Sequence, residues 1–115
     1  MRIAGGILTA SSALLMVAPV WVWAQRGEGG WQLALAAVVV IAGGMLAHTL
    51  VALGVCITLA WAERRFAQAL IGAHVIAIAC GGIILTANSN FMLAAHLTAA
   101  WAVLGVSTGV WLARR

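Results

Sequence analysis

Four long apolar stretches separated by short polar breaks dominate the pattern of this chain. A helix needs about 20 apolar residues to cross a lipid bilayer at a rise of roughly 1.5 Å per residue. The pattern therefore predicts four transmembrane helices, over residues 3–23, 31–62, 66–87 and 91–113. The stretches lack the alternation with a period of two that marks the strands of a membrane β-barrel. The predicted fold is an all-α, integral membrane four-helix bundle that forms one domain over residues 1–115.

The second apolar stretch is longer than a bilayer requires. As a straight helix, residues 31–62 would extend about 48 Å, whereas the hydrocarbon core is roughly 30 Å thick. We expect this helix to tilt or to project from the membrane. Two further possibilities stay open, a kink at the adjacent small residues Gly43 and Gly44 and a re-entrant first half.

Composition supports a membrane protein and indicates its orientation. Hydrophobic residues make up 65% of the chain and charged residues 7%, and the mean hydropathy is +1.13, values that do not suit a water-soluble domain. The net charge of +4 comes from arginines dispersed at the ends of the stretches, which argues against nucleic-acid binding. Arg26 falls on one side and the others on the opposite side, so the positive-inside rule predicts cytoplasmic N and C termini and a multi-pass protein of the cell membrane. The others are Arg2, Arg64, Arg65, Arg114 and Arg115.

Three histidines, His48, His74 and His96, interrupt these apolar stretches. Ionisable side chains inside a membrane are costly and usually functional. Counted from the arginine pairs at the helical rise, His48 and His96 lie about 24 and 27 Å from the cytoplasmic boundary, and His74 lies about 13 Å from it. The count predicts that His48 and His96 share a level. It places His74 roughly 10 Å deeper towards the cytoplasm, too far away to join them at one metal centre.

Two histidines that face each other at one depth in a helical bundle can hold a haem iron through two axial imidazoles. Small residues near them, Gly44, Ala99 and Ala100, leave room for a flat macrocycle, although small residues also let membrane helices approach closely. We therefore predict a haem, b-type, ligated by His48 and His96. The alternative for each histidine is a hydrogen bond between helices.

His74 has several possible secondary roles. It could bind a haem propionate, carry a proton, or ligate a second pigment or haem. Glu28 and Glu63 lie near the interfaces, which argues against the buried carboxylate of a small proton-coupled exporter. Cys56 and Cys80 are expected to be buried as small apolar residues without a disulfide. Residues 105–109, with glycine at both ends, form a close-packing motif.

Four short segments of the chain form a recognisable pattern: His48-Thr49-Leu50-Val51-Ala52-Leu53-Gly54, Arg64-Arg65, Gly81-Gly82-Ile83-Ile84-Leu85-Thr86 and Ala95-His96-Leu97-Thr98-Ala99-Ala100. Together they resemble one four-helix half of the heme A synthase family. The resemblance implies a haem held between histidines of the second and fourth helices, with His48 and His96 as the matching residues. Met45 and Thr49 stand where the family has a carboxylate and an arginine. The resemblance therefore implies haem binding more directly than hydroxylation of a haem methyl group.

Three function classes follow from these observations. The first is a haem-binding bundle that is heme A synthase-like or handles haem. The second is a membrane anchor or electron-transfer subunit of a respiratory complex that carries a b-type haem. The third is a cofactor-free accessory subunit of a membrane complex. Whether the protein is an enzyme stays open. A bundle without sizeable loops offers little surface for substrate recognition, so we expect a homo-oligomer or a subunit of a larger complex.

Overall fold

A computed structural model describes residues 1–27, 29–84 and 91–115, and these residues form helices and turns without a strand. Within these described ranges, four helical runs are long and apolar enough to span a membrane. This confirms the all-helical class and the number of apolar spans, and it agrees with a multi-pass membrane protein. The helices are α1 (Arg2–Leu15), α2 (Val17–Ala24), α3 (Trp31–Leu59), α4 (Arg64–Ile83) and α5 (Phe91–Arg114).

The first span is divided into α1 and α2 by a turn at Met16. Pro19 lies four residues after Leu15, the last residue of α1. Proline has no backbone N–H, so it cannot donate the helical hydrogen bond to the Leu15 carbonyl, and its ring crowds that carbonyl. The predicted single helix over residues 3–23 is therefore wrong in its continuity, although the run Arg2–Ala24 still counts as one apolar span.

The helix α3 is continuous for 29 residues, or about 43 Å. It runs through Gly43 and Gly44 without interruption, so the alternative of a re-entrant first half is wrong. It also ends at Leu59 and not at residue 62. Residues 60–63 form a turn in which the N–H groups of Ala62 and Glu63 donate to the Leu59 carbonyl. The predicted end of the third helix at residue 87, the Asn88–Asn90 break and Glu28 lie outside the described residues.

Close packing between α1 and α5 depends on glycine. A Cβ atom added to Gly5 would lie 2.6 Å from the carbonyl oxygen of Gly109, and one added to Gly109 would lie 2.7 Å from the backbone nitrogen of Thr9. One turn earlier in α5, a Cβ atom added to Gly105 would likewise collide with Ser12 of α1. The prediction of a close-packing motif over residues 105–109 is confirmed, and its partner is α1.

The helix ends that carry arginine meet at one end of the bundle, which we call the arginine end. A buried cluster that includes Ala4, Leu59 and Leu112 joins α1, α3 and α5 there, and Ala67 adds α4. A second cluster at the opposite end joins α2, α3 and α5 through Val22, Ala37, Ile41, Ala94 and Ala95. The spans consequently run up and down in sequence order.

Candidate functional site

A chain of buried hydrogen bonds crosses the bundle from α1 through α3 to α4. The Ser12 Oγ atom lies 2.8 Å from His48 Nε2, and His48 Nδ1 lies 3.2 Å from His74 Nε2. Ser12, His48 and His74 are all buried, with exposed fractions of 0%, 3% and 5%. Among the described residues, four polar side chains are buried. Three of the four, Ser12, His48 and His74, belong to this one chain of hydrogen bonds.

Both ends of this chain are backbone carbonyl groups. The Leu8 carbonyl lies 2.7 Å from Ser12 Oγ. At the other end, the Nδ1–H of His74 donates to the Leu70 carbonyl over 2.9 Å. Carbonyl oxygens accept hydrogen bonds only, so every proton in the chain has to come from the serine or from the two imidazoles.

Aromatic contacts hold the two imidazoles in place. The rings of His48 and His74 are nearly parallel, with centroids 5.2 Å apart and planes 14° apart. Trp101 of α5 makes a T-shaped contact with His74, with a centroid distance of 4.9 Å. All four spans therefore contribute to one site: α1, α3 and α4 through the hydrogen-bonded side chains, and α5 through Trp101.

The three side chains meet because they lie at one level. Ser12 lies ten residues after the start of α1, His48 lies eleven residues before the end of α3, and His74 lies ten residues after the start of α4. These spacings place all three about 15 to 16 Å from the arginine end. The prediction that His74 lies roughly 10 Å below His48 is wrong, because counting from Arg64 treated the turn at residues 60–63 as part of the helix.

Gly105 makes room for the serine in this chain. A Cβ atom at position 105 would lie 2.8 Å from Ser12 Cβ, closer still to Ser12 Oγ, and 3.6 Å from His48 Nε2. A side chain at this position would displace Ser12 from the imidazole. The close packing of α1 on α5 and the hydrogen bond from α1 to α3 thus depend on the same glycine.

His96 lies outside this chain. Its side chain is exposed, its Nδ1–H donates to the Met92 carbonyl over 2.7 Å, and its ring contacts Trp23 with centroids 5.3 Å apart. His96 lies eighteen residues before Arg114, so along its helix it is about 27 Å from the arginine end. The structure brings His48 together with His74 and Ser12, not with His96, and both ring nitrogens of His48 have protein partners.

The three small residues that we predicted beside a haem differ in what surrounds them. A Cβ atom at Gly44 would contact Leu15 and Ala18 of the first span. Ala99 is buried, whereas Ala100 is exposed and lines a cleft between α3, α4 and α5. A cofactor-binding role for Gly44, Ala99 and Ala100, and haem ligation by His48 and His96, stay predictions.

The two cysteines differ in exposure. Cys56 is buried, and its Sγ atom lies 3.7 Å from the Ala67 carbonyl. Cys80 is exposed and lines the cleft, so the prediction that it is buried is wrong. Both thiols are free, which confirms the prediction of no disulfide.

The cleft has a volume of about 610 Å³, within the usual range for small-molecule sites. It opens where α4, which packs on α3, diverges from α5. Small side chains line much of both walls, and Trp101 lies at the level of His74. The indole nitrogen of Trp101 is buried and has no hydrogen-bond partner among the described residues.

Comparisons with known proteins leave the family open. No family model, no curated protein and no solved structure matches the chain. The resemblance to one half of heme A synthase therefore stays a prediction that depends on the short motifs around His48 and His96.

Proposed function

We propose that this protein is a multi-pass membrane protein that binds one proton within the membrane. The proton binds on the hydrogen-bonded chain formed by Ser12, His48 and His74. The observation that carries the proposal is the continuous buried hydrogen bonding from the Leu8 carbonyl to the Leu70 carbonyl. Buried polar groups in a membrane are expensive unless they are paired, and they commonly mark proton relays. A role in carrying a proton was one of the predictions for His74.

The neutral chain has three protons, one each on Ser12, His48 and His74. The Ser12 hydroxyl donates to His48 Nε2, the Nδ1–H of His48 donates to His74 Nε2, and the Nδ1–H of His74 donates to the Leu70 carbonyl. The Leu8 carbonyl is the fourth acceptor. In this state it accepts only the helical hydrogen bond from the backbone N–H of Ser12 within α1. The neutral state therefore has a complete set of directed hydrogen bonds.

One added proton gives a second complete arrangement. The Ser12 hydroxyl rotates to donate to the Leu8 carbonyl, and the Nε2–H of His48 donates to Ser12 Oγ. The added proton is thus the Nε2–H of His48, the proton between His48 Nδ1 and His74 Nε2 is the one already present in the neutral state, and His74 still donates to Leu70. Because each state satisfies its donors, the proton is taken up with only a rotation of the hydroxyl group.

The surroundings of the pair provide no counter-charge among the described residues. The side chains that face it are Ser12 from α1 and Trp101 from α5, both neutral. Glu63 pairs with Arg115 over 3.3 Å at the arginine end. A protonated pair would thus be an uncompensated cation inside the bilayer, which is costly. This favours a proton that is loaded and released during a cycle over a permanently charged site.

The direction of the chain suggests what the proton does. Its members lie at one level and connect α1 to α4 through α3, so the chain runs across the bundle and not along the membrane normal. A site of this kind holds a proton at one depth and couples its presence to the contact between helices. We therefore propose a proton-coupled step, within an oligomer or a larger complex, with the arginine end in the cytoplasm.

Nuclear magnetic resonance of ¹⁵N-labelled histidine, recorded over a pH series in lipid nanodiscs, tests this proposal. We expect the ring signals of His48 and His74 to shift together through one shared protonation event, as coupled groups do. In His74→Ala the shared event should disappear. His96→Ala should leave it unchanged, since His96 has no contact with the pair. Independent transitions for His48 and His74, or no protonation of either before the protein unfolds, would contradict the proposal.

A further inference from the structure

An apolar groove between α1 and α3 opens to the surface of the bundle at the arginine end. We call it the α1–α3 groove, and its volume is about 540 Å³. Two buried residues of the cluster at that end, Ala4 and Leu59, line it, and so do Ile3 and Ile7 of α1, which are exposed. Along α3 the lining extends from Leu59 back to Val51, or about 12 Å. The groove therefore begins near the helix ends and continues into the apolar span.

The α1–α3 groove provides contacts for hydrocarbon. Thr58 is the one polar residue among the described residues that line it, and its hydroxyl group already donates to the Val55 carbonyl over 2.7 Å. A Cβ atom added to Gly54 would meet nothing within 4 Å, so the wall is open at this position. Lipid tails are as apolar as a leucine side chain. In a bilayer, an exposed groove of this kind is consequently filled by an acyl chain.

The charges at the arginine end select the headgroup of that lipid. Five of the six arginines lie at this end, and all five are exposed. Glu63 pairs with Arg115 over 3.3 Å, and the Arg115 guanidinium group also lies 5.0 Å from the centre of the Trp111 ring. The other four arginines at this end, which have no carboxylate partner within the described ranges, are Arg2, Arg64, Arg65 and Arg114. The end therefore has an excess of positive charge that a bound anion would neutralise.

Two of these arginines lie close to the mouth of the groove. Arg2 directly follows Met1, and Arg64 lies two residues after Ala62, and both Met1 and Ala62 line the groove. Consecutive Cα atoms are about 3.8 Å apart, so the two arginine Cα atoms lie within about 8 Å of a lining residue. The long stem of arginine lets the guanidinium group reach the interface, where its planar fork binds phosphate through paired hydrogen bonds. Basic pockets between membrane helices are typical sites for anionic headgroups.

We infer that the α1–α3 groove binds one acyl chain of an anionic phospholipid, whose phosphate group accepts hydrogen bonds from Arg2 and Arg64. The apolar groove favours a lipid over free phosphate, because free phosphate has no hydrocarbon to place in it. The uncompensated positive charge favours a lipid with a net negative charge over a zwitterionic one. This lipid site rests on the membrane insertion that belongs to the proposed function, and it is separate from the proton chain.

Native mass spectrometry of the full chain in detergent, titrated with phosphatidylglycerol or with phosphatidylcholine of the same acyl chains, tests the inference. We expect the first phosphatidylglycerol to bind about thirtyfold more tightly, the value of two arginines beside an anionic lipid. Arg2→Gln should weaken its binding about fivefold, the value of one arginine, and Arg2→Gln combined with Arg64→Gln should remove the preference. Arg26→Gln is the matched control, because Arg26 is an exposed arginine at the opposite end. Equal affinities of the wild type for the two lipids, or an equal loss in Arg26→Gln, would overturn the inference.

A second pair of variants tests the location. Gly54→Leu fills the groove and should abolish the tight binding of phosphatidylglycerol. Gly43→Leu should not, because Gly43 is an exposed and equally open position of α3 outside the groove. Inorganic phosphate should not displace the lipid. Full binding by Gly54→Leu, or displacement by inorganic phosphate, would indicate a simple anion site and overturn the inference.

The two proposals fail in distinguishable ways. None of these variants alters Ser12, His48 or His74, so the shared protonation event of the histidines should persist in all of them. Loss of the lipid preference alone would overturn the lipid site and leave the proton proposal intact. A chain that does not insert into lipid nanodiscs would contradict both.

Discussion

His74 Nε2 lies 3.2 Å from His48 Nδ1, although the two residues belong to antiparallel helices joined by a turn. This contact places two imidazoles and a serine on one path inside an otherwise apolar bundle. The same path links α1, α3 and α4 through their side chains.

Ser12→Ala removes the hydroxyl group that both states of the chain use. His48 Nε2 then loses its partner, and a buried group without one costs about 1–3 kcal/mol. We expect a lower unfolding temperature in detergent and an altered His48 ring signal. Ser11→Ala is the matched control, because the Ser11 hydroxyl donates only to the Leu8 carbonyl of its own helix. Equal effects of the two substitutions would show that the link from Ser12 to His48 is unimportant.

Gly105→Ala should destabilise the bundle by about 1–3 kcal/mol, the usual cost of overpacking. The added methyl group would collide with Ser12 and push α1 away from α5. Thermal unfolding in detergent, followed by circular dichroism, measures the effect. Gly54→Ala is the comparison, since a Cβ atom there meets nothing within 4 Å. That variant should be as stable as the wild type or slightly more stable, and a loss as large as that of Gly105→Ala would argue against the tight α1–α5 contact.

Haem binding is checked by reduced-minus-oxidised spectra of protein purified from haem-replete cells. Ligation by His48 and His96 requires an absorbance band that His48→Ala and His96→Ala both abolish and that His74→Ala retains. The proton chain alone requires no chromophore. A band that survives in His96→Ala would contradict the ligand pair predicted from the sequence, and a colourless wild type would contradict haem binding.

Thiol labelling with N-ethylmaleimide checks the two cysteines in detergent. We expect Cys80 to react rapidly and Cys56 to react only after unfolding, because Cys80 is exposed at the cleft and Cys56 is buried against α4. Mass spectrometry of Cys56→Ala and Cys80→Ala identifies which thiol is modified. Rapid modification in Cys80→Ala under native conditions would show that the core at the arginine end is more open than described.

Helix ends account for the main error of prediction at the site. The helix ends that carry Arg2, Arg64 and Arg114 lie together at one end of the bundle, but Arg64 lies after a four-residue turn and therefore does not mark the end of α3. Counting from it moved His48 too far from the arginine end and hid its contact with His74. Counting from the observed helix ends brings His48, His74 and Ser12 to one level.

Ser12 was missed for a different reason. A serine in an apolar helix usually donates to the carbonyl four residues earlier and carries no further signal. Ser12 does make that bond. Only its position opposite Gly105, where two helices approach closely, directs it towards His48.

The sequence by itself determined that this protein has four apolar helical spans, because hydropathy and helix length are local properties of the chain. It also determined that three histidines lie within those spans. Only the tertiary structure decided which of the three meet, because a contact between helices depends on where each helix ends, how it is rotated and which glycines allow close approach. Those quantities depend on packing among all four spans, so His74 joins His48 while His96 stays apart beside Trp23.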